Sequence, residues 1–380
     1  MRYLFIFCFL WLIAYGKAQT PSFEPWEKLV PSAYIPAEVK TYASNNNMDI
    51  VQFRGKYYMA FRTARVHFPT GRCILHILSS DSLPYWKLEK SIQTGFDLRE
   101  PRFAQFNNQL FLVWFEGGNN MFKFQPRHIF SMSTSGNGWT LPADLHLDGY
   151  VPWRLRERND TLYMSVYDGR GLYKANHSPD ICLFYSEDGF QWKRLGKQSL
   201  YQEHFMEEAE FIFKYDGSLL GSIRMEGAGS LICKAPADSL FCWNCIKSRY
   251  KFDSSLMFEH RDKTYYISRR NLDGPCDKDP DGTDSRVNRG RDLVRYSITR
   301  KVTALFEFDE EKLALKHIKD FPSSGDNAYP AIVPIDKSEF LLLNYSSDIT
   351  KKPKNWLRGQ LGKTYIYQTR LHMDTSHESH

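Results

Sequence analysis

The residues with the clearest capacity for chemistry are a glutamate, an arginine and a tyrosine that stand at the ends of short apolar strands. Glu208 opens a strand, Asp216 and Gly217 make a turn, and Arg224 closes the strand that follows. Tyr329 opens another such pair of strands further along the chain. A phenol becomes a nucleophile when a neighbouring carboxylate takes its proton, and an arginine fork binds a carboxylate through paired, charge-assisted hydrogen bonds. These residue types indicate covalent catalysis on a substrate that carries an acid group.

Other charged residues recur in step with these three, at the starts and ends of successive strands. Surface charges have no reason to keep step with a repeat, and a packed core does not need them, so we expect them to meet in a common channel. Arginine suits such a channel because its planar fork matches a carboxylate better than lysine does. Tyr329 and Glu208 are the predicted catalytic residues. The predicted substrate-binding residues are Arg224, Arg270, Arg62, Arg154, Arg99 and Asp49.

The spacing of these residues follows an internal repeat of roughly 45–60 residues, a period typical of propeller blades. Each repeat has a short strand of alternating character, a polar turn of two or three residues, and a second, more apolar strand. Aromatic residues make up 15% of the chain, which favours β structure. The predicted hairpins span residues 48–61, 101–115, 152–167, 209–223, 255–268 and 329–344.

Six hairpins at regular spacing predict an all-β fold, a six-bladed β-propeller of four-stranded antiparallel blades. Five blades are an alternative if one hairpin is an insertion, and a β-sandwich is a third arrangement. Residues 26–39 are expected to add the strand that seals the ring. Since the first strand of each propeller blade faces the axis, the matching charged residues are expected to line the central channel.

Two turn motifs carry a resemblance to a known family. Residues 186–192 read Ser-Glu-Asp-Gly-Phe-Gln-Trp, close to the Asp-box S-x-D-x-G-x-x-W, and residues 79–86 hold a degenerate copy. The segment 208–224 resembles the sialidase segment in which a glutamate opens a strand and an arginine closes the next one. The strand that begins at Tyr329 is similar to the segment with the family's tyrosine nucleophile. The chain thus resembles the sialidases, in a divergent, bacterial-type branch of these β-propellers.

The resemblance implies a set of roles. Tyr329 would attack the anomeric carbon, Glu208 would activate it, and Arg224 with two further arginines would bind the substrate carboxylate. The candidates for the remaining roles are Arg62 for one arginine, Arg269, Arg270 or Arg291 for the other, and Asp49 or Asp97 for the acid. We therefore expect an exo-glycosidase that hydrolyses the bond to a terminal acidic sugar.

Two other functions fit the same propeller. A uronate-specific lyase or dehydratase would use an arginine to neutralise the carboxylate, and a tyrosine or histidine to remove the proton beside it. A glycan-binding propeller without turnover would use aromatic residues such as Trp114 and Trp153 to stack on sugars. The histidines that could act as the base in elimination are His67, His76, His128 and His204.

The N-terminus and the charge pattern indicate an exported protein. Residues 1–18 predict a signal peptide, because Arg2 precedes an apolar run and Gly16 and Ala18 precede the cleavage point. Residues 19–380 are expected to form one domain of a secreted or periplasmic monomer. No later segment approaches the ~20 apolar residues of a membrane span. The net charge of +6 has no basic block, so we expect an acidic oligosaccharide or glycan as partner and no nucleic acid.

Cysteines and aspartates give two further expectations. Six of the seven cysteines follow the signal peptide, and an even number in an exported chain favours a structural disulfide. Cys242 and Cys245 also have the spacing of a redox motif. Asp277, Asp279 and Asp281 have the alternating spacing of a calcium loop, with a solvated acidic loop as the alternative. No other cofactor is expected.

Overall fold

The computed structural model describes residues 21–170, 179–276 and 286–373. The predicted signal peptide and the three aspartates of the calcium loop, Asp277, Asp279 and Asp281, lie outside these ranges. Within them, six antiparallel sheets are arranged in a ring, and two helices accompany them. No helix in the described ranges is long and apolar enough to cross a membrane.

The elements follow the chain around the ring. The strands are β1 Ser22–Phe23, β2 Glu27–Val30, β3 Ser44–Phe53, β4 Lys56–Ala64, β5 Ile74–Ser80, β6 Lys87–Ile92, β7 Leu98–Phe106, β8 Gln109–Glu116, β9 Ile129–Thr134, β10 Ala143–Asp144, β11 Tyr150–Arg158, β12 Thr161–Asp168, β13 Ile181–Ser186, β14 Lys193–Leu195, β15 Met206–Phe213, β16 Leu219–Met225, β17 Leu231–Ala235, β18 Asn244–Lys247, β19 Asp253–His260, β20 Lys263–Asn271, β21 Lys301–Asp309, β22 Ala314–Asp320, β23 Asn327–Pro334, β24 Glu339–Ser346 and β25 Tyr365–His372. The helices are α1 Arg286–Ile298 and α2 Trp356–Gln360.

The six predicted hairpins are confirmed as the first two strands of six blades, so the alternatives of five blades and a β-sandwich are wrong. Turn residues explain why these segments fold back so tightly. Asn107 and Asn108 both have positive φ, at 48° and 58°, and so do Asn159 and Asp160. Two successive residues in this region are what a type I′ turn between antiparallel strands requires.

Burial in each blade follows the distance from the axis. The second strands, such as β8 and β24, are buried along nearly their whole length because neighbouring blades cover both of their faces. The outermost strands, such as β22, are exposed or half-exposed. This is why the second strand of each repeat is a continuous apolar run, whereas the fourth strand carries so little signal.

The ring is closed by strands from both ends of the chain. The last blade takes β23, β24 and β25 from the C-terminal part, and β1 and β2 both pair with β25. Ser22 lies opposite His372, and Glu27 lies opposite Gln368. Residues 26–39 therefore provide the sealing strand, as the sequence predicted.

The Asp-box forms a compact turn between β13 and β14. Asp188 Oδ1 accepts hydrogen bonds from the backbone N–H groups of Phe190 and Gln191, at 2.8 and 2.7 Å. Gly189 has a φ of 82°, and a Cβ at this position would lie 2.3 Å from the Phe111 ring. The glycine is thus needed both for the backbone angle and for the close approach of the turn to the neighbouring blade.

One disulfide is present among the described residues. Cys233 on β17 is bonded to Cys245 on β18, which confirms the expected structural disulfide. Cys242 is an exposed free thiol, so it does not pair with Cys245 as a redox motif would require. The thiols of Cys73, Cys182 and Cys276 are buried.

Helix α1 was not expected, since its sequence is polar and lacks a clear apolar stripe. It lies between β20 and β21, and its Tyr296 hydroxyl donates a 2.5 Å hydrogen bond to Asp253 Oδ2. Tyr296 also packs edge-on against Trp356 of α2, with ring centroids 6.0 Å apart. The insertion is thereby joined to β19, the innermost strand of the fifth blade.

Candidate active site

All six innermost strands carry a β-bulge near the same end of the channel. The residues at these bulges are Asn47, Glu100, Trp153, Glu208, Ser254 and Tyr329. All but Trp153 have a φ between 40° and 55°, a left-handed conformation that non-glycine residues rarely adopt. A bulge re-aims a side chain, and backbone strain of this kind is concentrated at functional sites. The ring of bulges therefore marks the residues to be considered first.

Five of these six residues, all but Trp153, line one cavity of about 330 Å³. The charged part of its wall consists of Arg99, Arg224, Arg269, Glu100, Glu207 and Glu208. The aromatic part includes Phe68, Phe122, Phe124, Tyr167, Tyr329, Tyr345 and Trp356. The cavity thus combines cations, acids and ring surfaces, the usual means of holding a polar ligand that has an apolar face.

Two buried aspartates fix two of the three arginines of the cavity. Asp97 accepts a 2.5 Å hydrogen bond from Arg99 Nε through Oδ2 and a 2.8 Å bond from Arg62 Nε through Oδ1. Asp253 Oδ2 accepts from Arg269 Nη2 at 3.1 Å. Arg269, Lys251 and Arg224 hold the pKa of Asp253 well below its usual value, although burial alone would raise it. The arginines are therefore oriented before any ligand arrives.

Arg224 is the most heavily paired arginine of the cavity. Its guanidinium donates to Glu208 and Glu226, and its Nε lies 3.3 Å from Asp253 Oδ1. Glu208 is also fixed from the other side, where its Oε2 accepts a 2.7 Å hydrogen bond from the backbone N–H of Ser254. Glu208 is thus held by Arg224 on one side and by the backbone of β19 on the other.

Glu207 and Glu208 both line the cavity although they are consecutive residues of a strand. Successive side chains of a strand normally point to opposite faces, and the bulge at Glu208 breaks that alternation. Burial raises the pKa of Glu207 to about 8, and Arg224 opposes this rise only in part. At neutral pH the Glu207 carboxyl group therefore stays protonated in the cavity.

Glu100 and Arg102 are the charged residues that act most strongly on the Tyr329 phenol. Burial, supported by the Glu100 carboxylate, raises the pKa of Tyr329 well above its usual value, and Arg102 opposes the rise. Burial also raises the pKa of Glu100, which makes it a stronger base than an exposed glutamate. Asn47 Nδ2 donates a 3.1 Å hydrogen bond to Glu100 Oε1 and so orients the carboxylate. The Tyr329 hydroxyl and Glu100 Oε2 are both buried and have no hydrogen-bond partner within the described part of the chain.

A histidine–aspartate pair completes the charged wall. His67 lines the cavity, and its Nδ1 lies 2.7 Å from Asp326 Oδ2. Asp326 is fully buried and accepts from the Tyr345 hydroxyl at 3.0 Å and from Trp356 Nε1 at 3.2 Å. Burial alone would raise the pKa of Asp326, but His67 keeps it below its usual value.

The structure brings together half of the residues that the sequence selected. Tyr329, Glu208, Arg224 and Arg99 line the cavity. The other four lie outside its wall and have partners within the protein. These pairs are Arg62 with Asp97, Arg154 with Glu210, Arg270 with Asp320, and Asp49 with the backbone N–H of Phe103.

Two acids of the site were absent from the predicted set, namely Glu100 and Glu207. Each belongs to a pair of consecutive charged residues within a strand, Arg99-Glu100 and Glu207-Glu208. Two adjacent charges cannot both avoid the core of a regular strand, so such a pair is a signal for a bulge. Of the histidines considered as bases, His67 lines the cavity, whereas His76 is tied to Ser91 and the Lys40 carbonyl.

A group of potential metal ligands lies away from this cavity. His128 Nδ1 is 3.1 Å from both Asp144 Oδ2 and Asp148 Oδ1. These side chains are partly or largely exposed, and their contacts are those of ordinary surface ion pairs. We assign no metal to them.

Comparison with solved structures decides the fold family. No protein-family model and no curated protein sequence matches the chain. A sialidase from Trypanosoma rangeli superposes with a TM-score of 0.63 over 88% of this chain, at 12% sequence identity. The chain therefore shares its propeller fold with this sialidase. The endosialidase of phage phi92 gives a TM-score of 0.59 over 87% of the chain at 10% identity.

This sialidase-like propeller spans 57% of the T. rangeli chain and 67% of the phage chain. A protein of unknown function from Dyadobacter fermentans is matched over 95% of its length, with a TM-score of 0.63 and 13% identity. At these identities the likeness establishes the fold and leaves the reaction to the residues of the site.

Proposed function

We propose that the protein is a glycoside hydrolase that removes a terminal acidic sugar, with Tyr329 as its nucleophile. The observation that carries the proposal is the convergence of Tyr329, a glutamate that stays protonated at neutral pH and three arginines on one cavity. Its volume of about 330 Å³ lies at the lower end of small-molecule sites and suits a single sugar residue. T. rangeli sialidase, which shares the fold, has been crystallised with sialic acid and as a covalent intermediate with 2,3-difluorosialic acid.

In the first step, the Tyr329 oxygen attacks the anomeric carbon as its proton passes to Glu100. The negative charge passes from the Glu100 carboxylate to the Tyr329 oxygen and is neutralised as that oxygen bonds to the anomeric carbon. Burial raises the pKa of Glu100, and a carboxylate with a raised pKa is a better acceptor for a phenol proton. Glu208 was expected in this role, but its two oxygens are engaged by Arg224 and Ser254.

Glu207 is the acid that the departing group needs. The bond from the anomeric carbon to the glycosidic oxygen breaks with its electron pair on oxygen, and the proton comes from Glu207. In the second step a water attacks the anomeric carbon, gives its proton to Glu207, and the Tyr329 phenolate leaves and recovers its proton from Glu100. The two steps restore the enzyme and retain the configuration of the sugar.

The arginines of the cavity supply the preference for an acidic sugar. A guanidinium has five N–H donors, and Asp97 and Asp253 occupy only part of this capacity in Arg99 and Arg269. Aspartates that hold the arginines in place lower the entropy lost when a substrate carboxylate binds. A neutral methyl ester of the same sugar should therefore bind and react much more weakly than the acid.

Covalent trapping tests the nucleophile. The protein is incubated with 2,3-difluorosialic acid and difluorinated uronic acids, and its mass and peptide map are then recorded. We expect an adduct of one sugar on the peptide that contains Tyr329, and a loss of turnover of at least a thousandfold in Tyr329→Phe, roughly the loss when a nucleophile is removed. Tyr215→Phe is the matched control, because Tyr215 is fully exposed at a hairpin turn. Undiminished hydrolysis by Tyr329→Phe would refute the proposal.

The His67–Asp326 pair favours elimination from a uronate as a second candidate. A carboxylate behind a histidine fixes the tautomer and the orientation of the imidazole. His67 would remove the proton beside the carboxylate as the glycosidic oxygen leaves with its electron pair and takes a proton from Glu207. An unsaturated product absorbs in the ultraviolet and a hydrolysis product does not, so incubation with uronate oligosaccharides separates the two reactions. Binding of these oligosaccharides without formation of any product would instead indicate a glycan-binding propeller without turnover.

A further inference from the structure

Arg102 lies beneath the candidate nucleophile, outside the wall of the cavity. Its side chain is almost completely buried on β7, and its Nε donates a 2.5 Å hydrogen bond to the carbonyl of Trp153. The guanidinium carbon is 4.3 Å from the centroid of the Tyr329 ring and 4.9 Å from that of Trp153. The cation is therefore placed against the face of the Tyr329 ring.

No carboxylate forms an ion pair with Arg102 among the residues that the structure describes, and its Nη1 atom is buried without a hydrogen bond. The other buried arginines around the channel each have an acid. These are Arg62 with Asp97, Arg154 with Glu210, Arg224 with Glu208, and Arg269 with Asp253. A buried cation without its own anion is strongly unfavourable, and an apolar side chain of similar length would fill the same space. Packing alone does not explain an arginine here.

The position of Arg102 gives it a specific electrostatic effect. A cation over an aromatic face is attracted by the ring quadrupole, and the attraction grows when the phenol loses its proton, because the ring system then carries a full negative charge. Asp49, Glu100 and Glu210 also act on this guanidinium, but the ring is the group in direct contact with it. The anion that would pair with Arg102 is thus the Tyr329 phenolate, which forms only during the reaction.

We propose that Arg102 is a positioning residue that stabilises negative charge on the Tyr329 oxygen, both as that oxygen attacks and as it departs. The inference rests on the proposed role of Tyr329 as nucleophile, but the charge effect can be measured without any substrate. Because Arg102 is outside the wall of the cavity, its removal should lower kcat and leave KM nearly unchanged. Arg102→Lys should recover part of the loss, since it keeps a cation in place of the planar fork.

The test is a pH titration of Tyr329 by fluorine NMR. The protein is labelled with 3-fluorotyrosine, whose phenol ionises at lower pH than tyrosine, and the Tyr329 resonance is assigned by its loss in Tyr329→Phe. We expect Arg102→Met to raise the pKa of this residue by roughly 1–3 units, the usual effect of removing an adjacent opposite charge. The pKa of this residue in Arg102→Lys should lie between those in the wild type and in Arg102→Met. Arg102→Lys replaces Arg102→Met in the comparison if the methionine variant does not fold.

Arg158→Met is the matched control. The guanidinium carbon of Arg158 lies 5.4 Å from the centroid of the Phe213 ring, so this substitution also removes a cation–ring contact, but one that does not involve Tyr329. A Tyr329 resonance that titrates at the same pH with and without Arg102, or in neither protein, overturns the inference. A shifted pKa in a protein that hydrolyses no acidic glycoside would instead overturn the proposed hydrolysis and leave the charge effect standing. The two proposals therefore fail separately.

Discussion

Replacing Glu207 with glutamine should change how the stability of the protein depends on pH. The native state holds the Glu207 proton up to a pH of about 8, because burial raises its pKa, whereas the unfolded chain releases it near 4.5. Between these values the native state binds one more proton than the unfolded state, so the free energy of unfolding falls as pH rises. Glutamine resembles the protonated glutamate in shape and cannot ionise, so the variant lacks this contribution.

The magnitude follows from proton linkage. One bound proton changes the free energy of unfolding by about 1.4 kcal/mol for each pH unit. Over the interval from 4.5 to about 8, this comes to roughly 5 kcal/mol. The stability of Glu207→Gln minus that of the wild type should therefore increase by this amount from pH 4 to pH 9. The stabilisation of the wild type is fully present below pH 4.5 and is lost as pH rises through about 8.

Urea denaturation at unit steps of pH, followed by tryptophan fluorescence, measures this difference. Glu38→Gln is the control, because Glu38 is exposed and its removal should leave the two stability curves parallel. Parallel curves for Glu207→Gln would refute the reasoning, since they would mean that the native state does not retain the proton. The same variant should hydrolyse substrates with poor leaving groups much more slowly than activated aryl glycosides, because the departing oxygen of the latter needs no acid.

Two further predictions concern the framework. Gly189→Ala should destabilise the protein by about 3 kcal/mol in urea denaturation, because its Cβ would lie 2.3 Å from the Phe111 ring. Gly55→Ala, with a similar φ of 77° and nothing within 4 Å of its Cβ, should lose only about 1 kcal/mol from the backbone angle, and equal losses would contradict the assigned contact. The Cys233–Cys245 bond predicts four reactive thiols in the denatured mature protein before reduction and six after it. A non-reducing peptide map that joins Cys242 to Cys245 would contradict that pairing.

The architecture could be predicted from the sequence because each hairpin has its own local pattern of strand and turn residues. Residues 101–115, for example, combine alternating and continuous apolar strands with Asn107 and Asn108, which favour the turn between them. The sealing strand was also accessible, since a ring of six hairpins needs one more strand. Helix α1 was missed because its polar sequence gains its helical structure from tertiary contacts such as that of Tyr296 with Asp253.

The residues that line the candidate site could be predicted only in part, for two physical reasons. A bulge shifts which side chains face the channel, so strict alternation selected Glu208 and overlooked Glu207 beside it. In addition, the partner of a buried arginine lies on another strand, often in another blade. Arg154 was expected to bind substrate, but its Nε lies 2.6 Å from Glu210 Oε2 in the next blade. The local sequence around Arg154 does not indicate that ion pair.

The closure of the ring by β1 and β2 has a consequence for biosynthesis. Ser22 pairs with His372, so the sixth blade cannot be completed until synthesis has passed residue 372. Until then the earlier blades form an open arc with exposed strand edges, which can pair with other chains. Contacts between residues so distant in sequence also form slowly. The time between completing the fifth blade and closing the ring is therefore when a nascent chain would most need the help of a chaperone.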